Sequence, residues 1–130
     1  MIDVPFDPTE ELIRIEARIT GPLGHADVDL VLDTGASVTL ITFDTLDKLG
    51  YSARDGDSIS VITTAIGRES GYLLRLQELR TLGHAFTDVR VHAHDLAETS
   101  GIDGLLGLDV LRHFNYEIRS KEGLIRVGLA

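Results

Sequence analysis

Alternating apolar and polar residues constrain the fold of this chain more than any other feature of its sequence. Apolar residues occupy every second position over residues 13–19 and again over residues 26–32. A period of two is typical of a β-strand that buries one face. Residues 21–24, between the two runs, hold two glycines and a proline and therefore predict a turn. Together these segments predict a hairpin whose second strand ends at Asp33.

Short strand-like segments continue through the rest of the chain, separated by turn residues about every 8–12 positions. Further strands are predicted over residues 38–41, 58–64, 72–77, 79–82, 85–93, 116–118 and 124–127, and short helices over residues 43–49 and 109–114. We expect Thr42 to cap the first helix and Gly50 to end it. This pattern predicts a mainly β fold, closed and barrel-like, with one or two short helices.

The length of 130 residues fits one domain with a real core. We assign residues 1–10, which include two prolines, to an extended or loose N-terminal arm, and residues 11–130 to the domain. The net charge of −9 disfavours nucleic acid and anionic membranes as partners. Because the chain has no cysteine, a disulfide scaffold and a thiolate zinc site are excluded. No signal peptide or apolar membrane span is visible, so we expect a cytoplasmic protein.

Asp33 follows an apolar strand and precedes Thr34 and Gly35, a residue order that suits a tight turn. Strand ends followed by tight turns often hold catalytic side chains, although a bare Asp-Thr-Gly sequence also occurs in ordinary turns. Some seventy residues later come two leucines, a glycine and a short predicted helix. Both segments, with the strand order between them, resemble the retropepsin-like, single-domain aspartic proteases from about residue 11 to residue 127.

The resemblance implies the acid-protease fold, a closed β-barrel, and an endopeptidase that acts on peptides or proteins. It implies that Asp33 is the catalytic residue. It also implies a set of supporting residues and a flap over the substrate. The supporting residues would be Thr34, Gly35, Ala36, Leu105, Leu106 and Gly107, and the flap would include Ile66, Gly67 and Arg68 within a mobile tip at residues 66–71. No metal and no cofactor is implied.

The chemistry of amide hydrolysis requires one carboxylate to take a proton from water and one carboxylic acid to protonate the carbonyl oxygen. Two adjacent carboxyl groups that share one proton can fill both roles. Because the chain holds a single Asp-Thr-Gly motif, the second carboxyl group must come from a second copy of the chain. The sequence therefore predicts a homodimer with Asp33 on its axis, in which Thr34 bonds across the interface and residues 124–129 contribute.

Two positions depart from the retroviral pattern. Ser37 stands where retroviral enzymes usually have an aspartate, and Leu108 stands where they usually have its arginine partner. Both members of that ion pair are missing, so no buried charge is left unpaired. The chain is therefore more similar to the cellular and bacterial branch of the family. Ala36 lacks the hydroxyl that pepsin-like enzymes place there, which suggests a less acidic working range.

Other readings stay open. His92 and His94 share one face of a predicted strand, and we expect two exposed polar residues on an edge strand there and no metal site. Asp103 and Asp109 are predicted to be a loop residue and a helix N-terminal residue without catalytic roles. The main alternative function is a catalytically silent dimer that binds peptides or supports assembly, because a fold does not guarantee an activity.

Overall fold

The computed structural model describes residues 1–64, 67–96 and 101–130. Within these ranges, ten strands and two short α-helices confirm the predicted mainly β fold. In chain order the elements are β1 (Ile2–Pro5), β2 (Arg14–Gly21), β3 (Gly24–Leu32), β4 (Leu40–Ile41), α1 (Phe43–Lys48), β5 (Ser58–Thr64), β6 (Gly67–Thr81), β7 (His84–Ala93), β8 (Gly104–Leu106), α2 (Leu108–Leu111), β9 (Phe114–Arg119) and β10 (Leu124–Leu129). No helix in these ranges is both long and apolar enough to span a membrane.

Six strands form a closed barrel in the order β2, β3, β8, β4, β7 and β6. The ring closes because the end of β6 turns back to pair with β2, with Ala17 opposite Thr81. Alternation in β2 fills the interior, where Ile15, Ala17 and Ile19 are buried as their spacing predicts. Among the described residues, strand β5 pairs only with β6, and it extends the sheet beyond the barrel.

A second sheet joins the two termini in the order β1, β10 and β9. Residues Ile2–Pro5 pair with β10, with Ile2 opposite Val127 and Val4 opposite Ile125. The N-terminal arm is therefore extended, as predicted, but not loose, because a full strand ladder holds it. Strand β10 lies in the middle of this sheet, and both of its edges are occupied within the same chain.

Strand β8 passes between β3 and β4, parallel to the first and antiparallel to the second. Gly104 is required there because a Cβ at this position would collide with the backbone of Leu40. This close passage brings residues far apart in sequence to one end of the barrel. It places Leu106 directly beside Leu32, the last residue before Asp33.

The structure corrects the predicted elements at two points. Strand β6 is one continuous element of 15 residues, although two strands and a loop were expected over the same span. Gly67–Thr81 stays extended because successive parts of it bond to β5, β7 and β2. Helix α2 spans Leu108–Leu111 and is shorter than predicted because β9 already begins at Phe114.

Candidate active site

Asp33 lies at the point where β3 ends and a tight turn begins. Its backbone N–H donates to the carbonyl oxygen of Leu106 at 3.0 Å, which fixes the strand end against β8. The Gly35 N–H donates to Asp33 Oδ1 at 2.9 Å, and the Ala36 N–H donates to the Asp33 carbonyl oxygen at 3.2 Å. Asp33 is half-buried, whereas Thr34 and Gly35 are exposed. The turn therefore holds one carboxylate oxygen and presents the side chain near the surface.

The predicted supporting residues on β8 meet this turn. Leu105 and Leu106 lie opposite the last two residues of β3, and the Leu108 N–H donates to the Ala36 carbonyl oxygen at 2.8 Å. A Cβ at Gly107 would lie 2.6 Å from the carbonyl carbon of Val38 and 2.9 Å from the Ala36 oxygen. Only a glycine fits between these backbones, which explains the apolar-apolar-glycine order.

Thr34 makes no such local contact. Its side chain is exposed, and its hydroxyl has no hydrogen-bond partner within the described ranges. The structure thus brings Asp33, Gly35, Ala36 and Gly107 together and leaves Thr34 exposed. Ser37, one of the two positions that depart from the retroviral pattern, is exposed as well.

Thr39 and Asp109 support the Asp33 turn through their hydrogen bonds around Gly107. This role of Thr39 was not predicted from the sequence. Thr39 is fully buried, and its hydroxyl donates to Asp109 Oδ1 at 2.7 Å and accepts the Gly107 N–H at 3.1 Å. The Thr39 N–H donates to Asp109 Oδ2 at 2.9 Å. The Asp109 carboxylate also accepts the Val110 N–H at 2.8 Å in the first turn of α2. The sequence did contain a signal for this role. Thr39 lies within a predicted apolar strand, and a buried hydroxyl needs a hydrogen-bond partner.

Asp103 is also a structural residue in the described chain. Its carboxylate accepts hydrogen bonds from the Asp29 N–H and the Thr45 hydroxyl, both at 2.9 Å. These bonds tie β3 and α1 to the segment that leads into β8. Neither Asp103 nor Asp109 contacts the Asp33 carboxylate, in line with the structural roles predicted for both.

The predicted flap corresponds to the β5–β6 hairpin, with corrected limits. Ile66 lies outside the described residues. Gly67 and Arg68 are not loop residues but the first residues of β6, and they pair with Thr64 and Thr63 of β5. Gly67 has a φ of +135°, a conformation that glycine tolerates best.

His92 and His94 are neither exposed nor on an edge strand, so the prediction for them was wrong. Strand β7 lies between β4 and β6, His94 is only 1% exposed, and His92 is half-buried. Both imidazoles contact the hydroxyl of Ser60 on β5, His92 Nδ1 at 2.7 Å and His94 Nε2 at 2.8 Å. We call these three residues the Ser-His-His cluster. Burial lowers the pKa of each imidazole, so both favour the neutral form.

Two observations bear on other ligands. In the described part of the chain, no group of three or more histidine, cysteine, aspartate or glutamate side chains is arranged to hold a metal ion. A groove of about 810 Å³ lies between the N-terminal arm and the outer side of β2, and its lining does not include Asp33. The candidate site at Asp33 is therefore separate from this groove.

The chain is similar in sequence to one protein family and in structure to solved proteins. A family model described as aspartyl protease matches residues 15–110. A retropepsin-like aspartic protease from Rickettsia conorii has a similar structure, with a TM-score of 0.74, 23% identity, and coverage of 99% of this chain and 91% of that one. No curated protein sequence matches this chain.

Two further structures are similar at lower identity. The EIAV protease complexed with the inhibitor HBY-793 gives a TM-score of 0.61 at 19% identity, covering 80% of this chain and 88% of that one. The retroviral protease-like domain of Ddi1 from Leishmania major gives a TM-score of 0.62 at 16% identity, covering 92% and 90%. At these identities the matches establish the shared fold.

Proposed function

The chain belongs to the aspartyl protease family and has the retropepsin-like fold, and from this we propose that it is an endopeptidase whose catalytic residue is Asp33. The predicted acid-protease barrel is confirmed, and a place on the cellular and bacterial branch is part of the proposal. The proposal assigns residues 11–130 to the catalytic domain. Its substrate class is a peptide or protein bound in an extended form across two copies of Asp33.

One observation carries the proposal: the carboxylate of Asp33 lies at an exposed turn, with Oδ1 held by the Gly35 N–H at 2.9 Å. Its other oxygen, Oδ2, accepts no hydrogen bond within the described ranges. This carboxylate can accept a proton from water, and a second, protonated copy can donate to the scissile carbonyl oxygen. Two carboxyl groups about 3 Å apart share a proton because both cannot ionise together.

The second copy would come from a homodimer. The exposed Thr34 hydroxyl, which lacks a partner in the described part of one chain, would bond across the axis. Exposed apolar side chains also cluster at the terminal sheet, where Met1, Ile2 and Leu129 are 81%, 45% and 58% exposed. Because β10 has both edges occupied, our expected interface at Leu124–Leu129 would use side chains or the neighbouring β1, and not a strand added to β10.

The β5–β6 hairpin is proposed as the flap. It is the one hairpin that leaves the barrel in the described ranges, since β5 pairs with no strand except β6. Closing such a hairpin over a bound peptide would exclude water and orient the scissile bond. No cofactor takes part in this mechanism, and we do not expect nucleic acid or a membrane to be a partner.

Cleavage of a mixed peptide library tests the proposal. We expect internal peptide bonds to be cut by the wild type, and cleavage to be inhibited by a peptide that carries a hydroxyl in place of the scissile amide. Asp33→Asn keeps the size of the side chain but removes the titrating group, so cleavage should be abolished in a folded protein. Asp27→Asn is the matched control, because Asp27 lies on β3, the strand that leads to Asp33, is 71% exposed and has Arg18 as its one ion-pair partner in the described residues.

Three outcomes would contradict the proposal. Undiminished cleavage by folded Asp33→Asn would mean that another residue performs the chemistry. Unfolding of Asp33→Asn, with Asp27→Asn intact, would make Asp33 a structural residue. Tight binding of the hydroxyl peptide without any cleavage by the wild type would favour the alternative of a catalytically silent, peptide-binding dimer.

A further inference from the structure

Ser60 lies where the β5–β6 hairpin leaves the barrel. Strand β6 pairs with β7 only from Tyr72 onward, where Tyr72 lies opposite Ala93. Ser60 pairs with Gly71, the residue directly before Tyr72. Beyond that pair, residues 61–64 and 67–70 bond only to each other in strand register. The Ser60–Gly71 pair is therefore the hinge position of the hairpin.

The two histidines contact both strands at this hinge. The Ser60 hydroxyl lies 2.7 Å from His92 Nδ1 and 2.8 Å from His94 Nε2, and Ser60 is only 4% exposed. The ring of His94 fills the space beside Gly71, where a Cβ would lie 2.8 Å from its Nδ1 and Cε1 atoms. His94 thus bonds to β5 through Ser60 and packs on β6 at Gly71.

The backbones of both histidines bond to the segment that holds Thr39 and β4. The backbone N–H of His92 donates to the Thr39 carbonyl oxygen at 2.9 Å, and the backbone N–H of His94 donates to the Ile41 carbonyl oxygen at 3.2 Å. The Thr39 hydroxyl is also hydrogen-bonded to Asp109 and to Gly107, which lies next to the Asp33 turn. The imidazoles therefore join the hinge of the hairpin to the segment that supports the candidate active site.

We propose that the Ser-His-His cluster clamps the hinge of the β5–β6 hairpin, and that protonation of its two imidazoles releases the clamp. The claim rests on the proposed function only in calling the hairpin a flap. Ser60, His92 and His94 would act as positioning residues, because none of them contacts Asp33.

Hydrogen-bond chemistry makes the clamp sensitive to pH. A hydroxyl has one hydrogen, so Ser60 donates to one imidazole while the other imidazole donates to Ser60. If both rings become protonated, both donate to the Ser60 oxygen, and the buried Ser60 hydrogen loses its imidazole acceptor. Two positive charges would then face each other, with ring centroids 6.4 Å apart. The lost donation by Ser60 and the repulsion between the two rings both weaken the clamp.

Nearby charged groups shift the pKa of each imidazole in opposite directions, so burial remains the main influence on both pKa values. Burial lowers the pKa of His94 most, His92 lowers it further, and Glu69 on β6 and Asp95 after β7 raise it. Burial also lowers the pKa of His92, with Asp109 of α2 raising it and Arg90 of β7 lowering it. Because an unfolded or released imidazole titrates near 6.5, acid favours release, and the clamp weakens as the pH falls below that value.

Hydrogen exchange tests the clamp without requiring activity. In the wild type, protection of residues 61–64 and 67–70, corrected for intrinsic exchange, should fall roughly fivefold between about pH 8 and pH 5, as for one lost hydrogen bond. The β2–β3 hairpin is the internal reference and should not change. Ser60→Ala should lower the exchange protection of residues 61–64 and 67–70 at both pH values. The double variant His92→Asn, His94→Gln keeps a bonding nitrogen near each position without titrating, and it should stay protected at low pH.

The control is His25→Gln, because His25 is exposed at the β2–β3 turn. It should behave as the wild type does. The proposal is overturned if the hairpin responds to pH no more than the reference does, or if Ser60→Ala leaves its protection unchanged. For cleavage, the clamp predicts that acid raises KM in the wild type but not in the double variant. A protein that cleaves nothing yet shows the predicted exchange would refute the proposed function and keep the clamp.

Discussion

At the scale of single residues, the Asp33 turn depends on side chains that do no chemistry. The Asp109 carboxylate accepts hydrogen bonds from the Thr39 N–H, the Thr39 hydroxyl and the Val110 N–H, at 2.7 to 2.9 Å. Thr39 in turn accepts the Gly107 N–H beside Ala36. Since the acceptor is charged and its donors are largely buried, each of these bonds contributes more than a surface bond does.

Asp109→Asn should therefore destabilise the protein. An amide has only one oxygen, so in either orientation its NH2 group faces at least one donor that Asp109 now accepts. We expect the free energy of unfolding, measured by urea titration, to fall by about 1–3 kcal/mol. Asp44→Asn is the control, because Asp44 is 81% exposed in a pair with Lys48 and should change little. Equal unfolding midpoints for the two variants would show that Asp109 does not support the turn.

The sequence sufficed to predict that Asp33 lies where a strand ends in a tight turn, because that signal is local: an apolar strand followed by Thr34 and Gly35. It did not predict the Ser-His-His cluster, because Ser60 and His94 meet only when β5 folds back beside the end of β7. Alternation places His92 and His94 on one face of a strand but does not show whether another element covers that face. The covering element is the β5–β6 hairpin, and no local pattern indicates its position over the two histidines.

At the scale of elements, the β2–β3 hairpin and α1 were predictable, since local chemistry determines them. Thr42 caps α1 by accepting the Thr45 N–H, and Gly50 ends it with a φ of +90°. The length of β6 was not predictable, because three different strands bond to successive parts of it. The same limitation placed the predicted flap tip at residues 66–71, of which 67–71 belong to β6.

Gly107→Ala tests how tightly β8 must pass the Asp33 turn. Gly107 has a φ of −99°, which alanine adopts without strain, so any effect reports the collision of its Cβ with the Val38 and Ala36 backbones. We expect a loss of about 1–3 kcal/mol in the free energy of unfolding. Gly128→Ala is the control, because its Cβ would meet only the movable side chain of Met1, at 3.2 Å. A loss no larger than that of the control would mean that the passage can widen at little cost.

At the scale of the whole molecule, one chain provides a complete barrel but half of the proposed catalytic pair. The barrel closes through β2 and β6, and the terminal sheet closes through β1, so the fold of the chain needs no partner strand in the described ranges. The exposed Asp33 turn and the apolar termini are what a second copy would cover. Fold and activity should therefore respond differently when subunits are mixed or diluted.

Mixing the wild type with Asp33→Asn separates a shared site from a complete one. If each active site needs Asp33 from both subunits, random exchange with an equal amount of the variant should reduce wild-type activity to about half, and a ninefold excess should reduce it to about a tenth. Asn keeps the size of the Asp33 side chain at the proposed dimer axis, so we expect subunits to exchange, and mass spectrometry of an isotope-labelled partner would verify it. Asp27→Asn, mixed in the same ratios, should add its own activity instead. Wild-type activity that is unchanged after verified exchange would show that a single Asp33 suffices, and that a monomer would have to supply the second proton-transfer group from its own side chains.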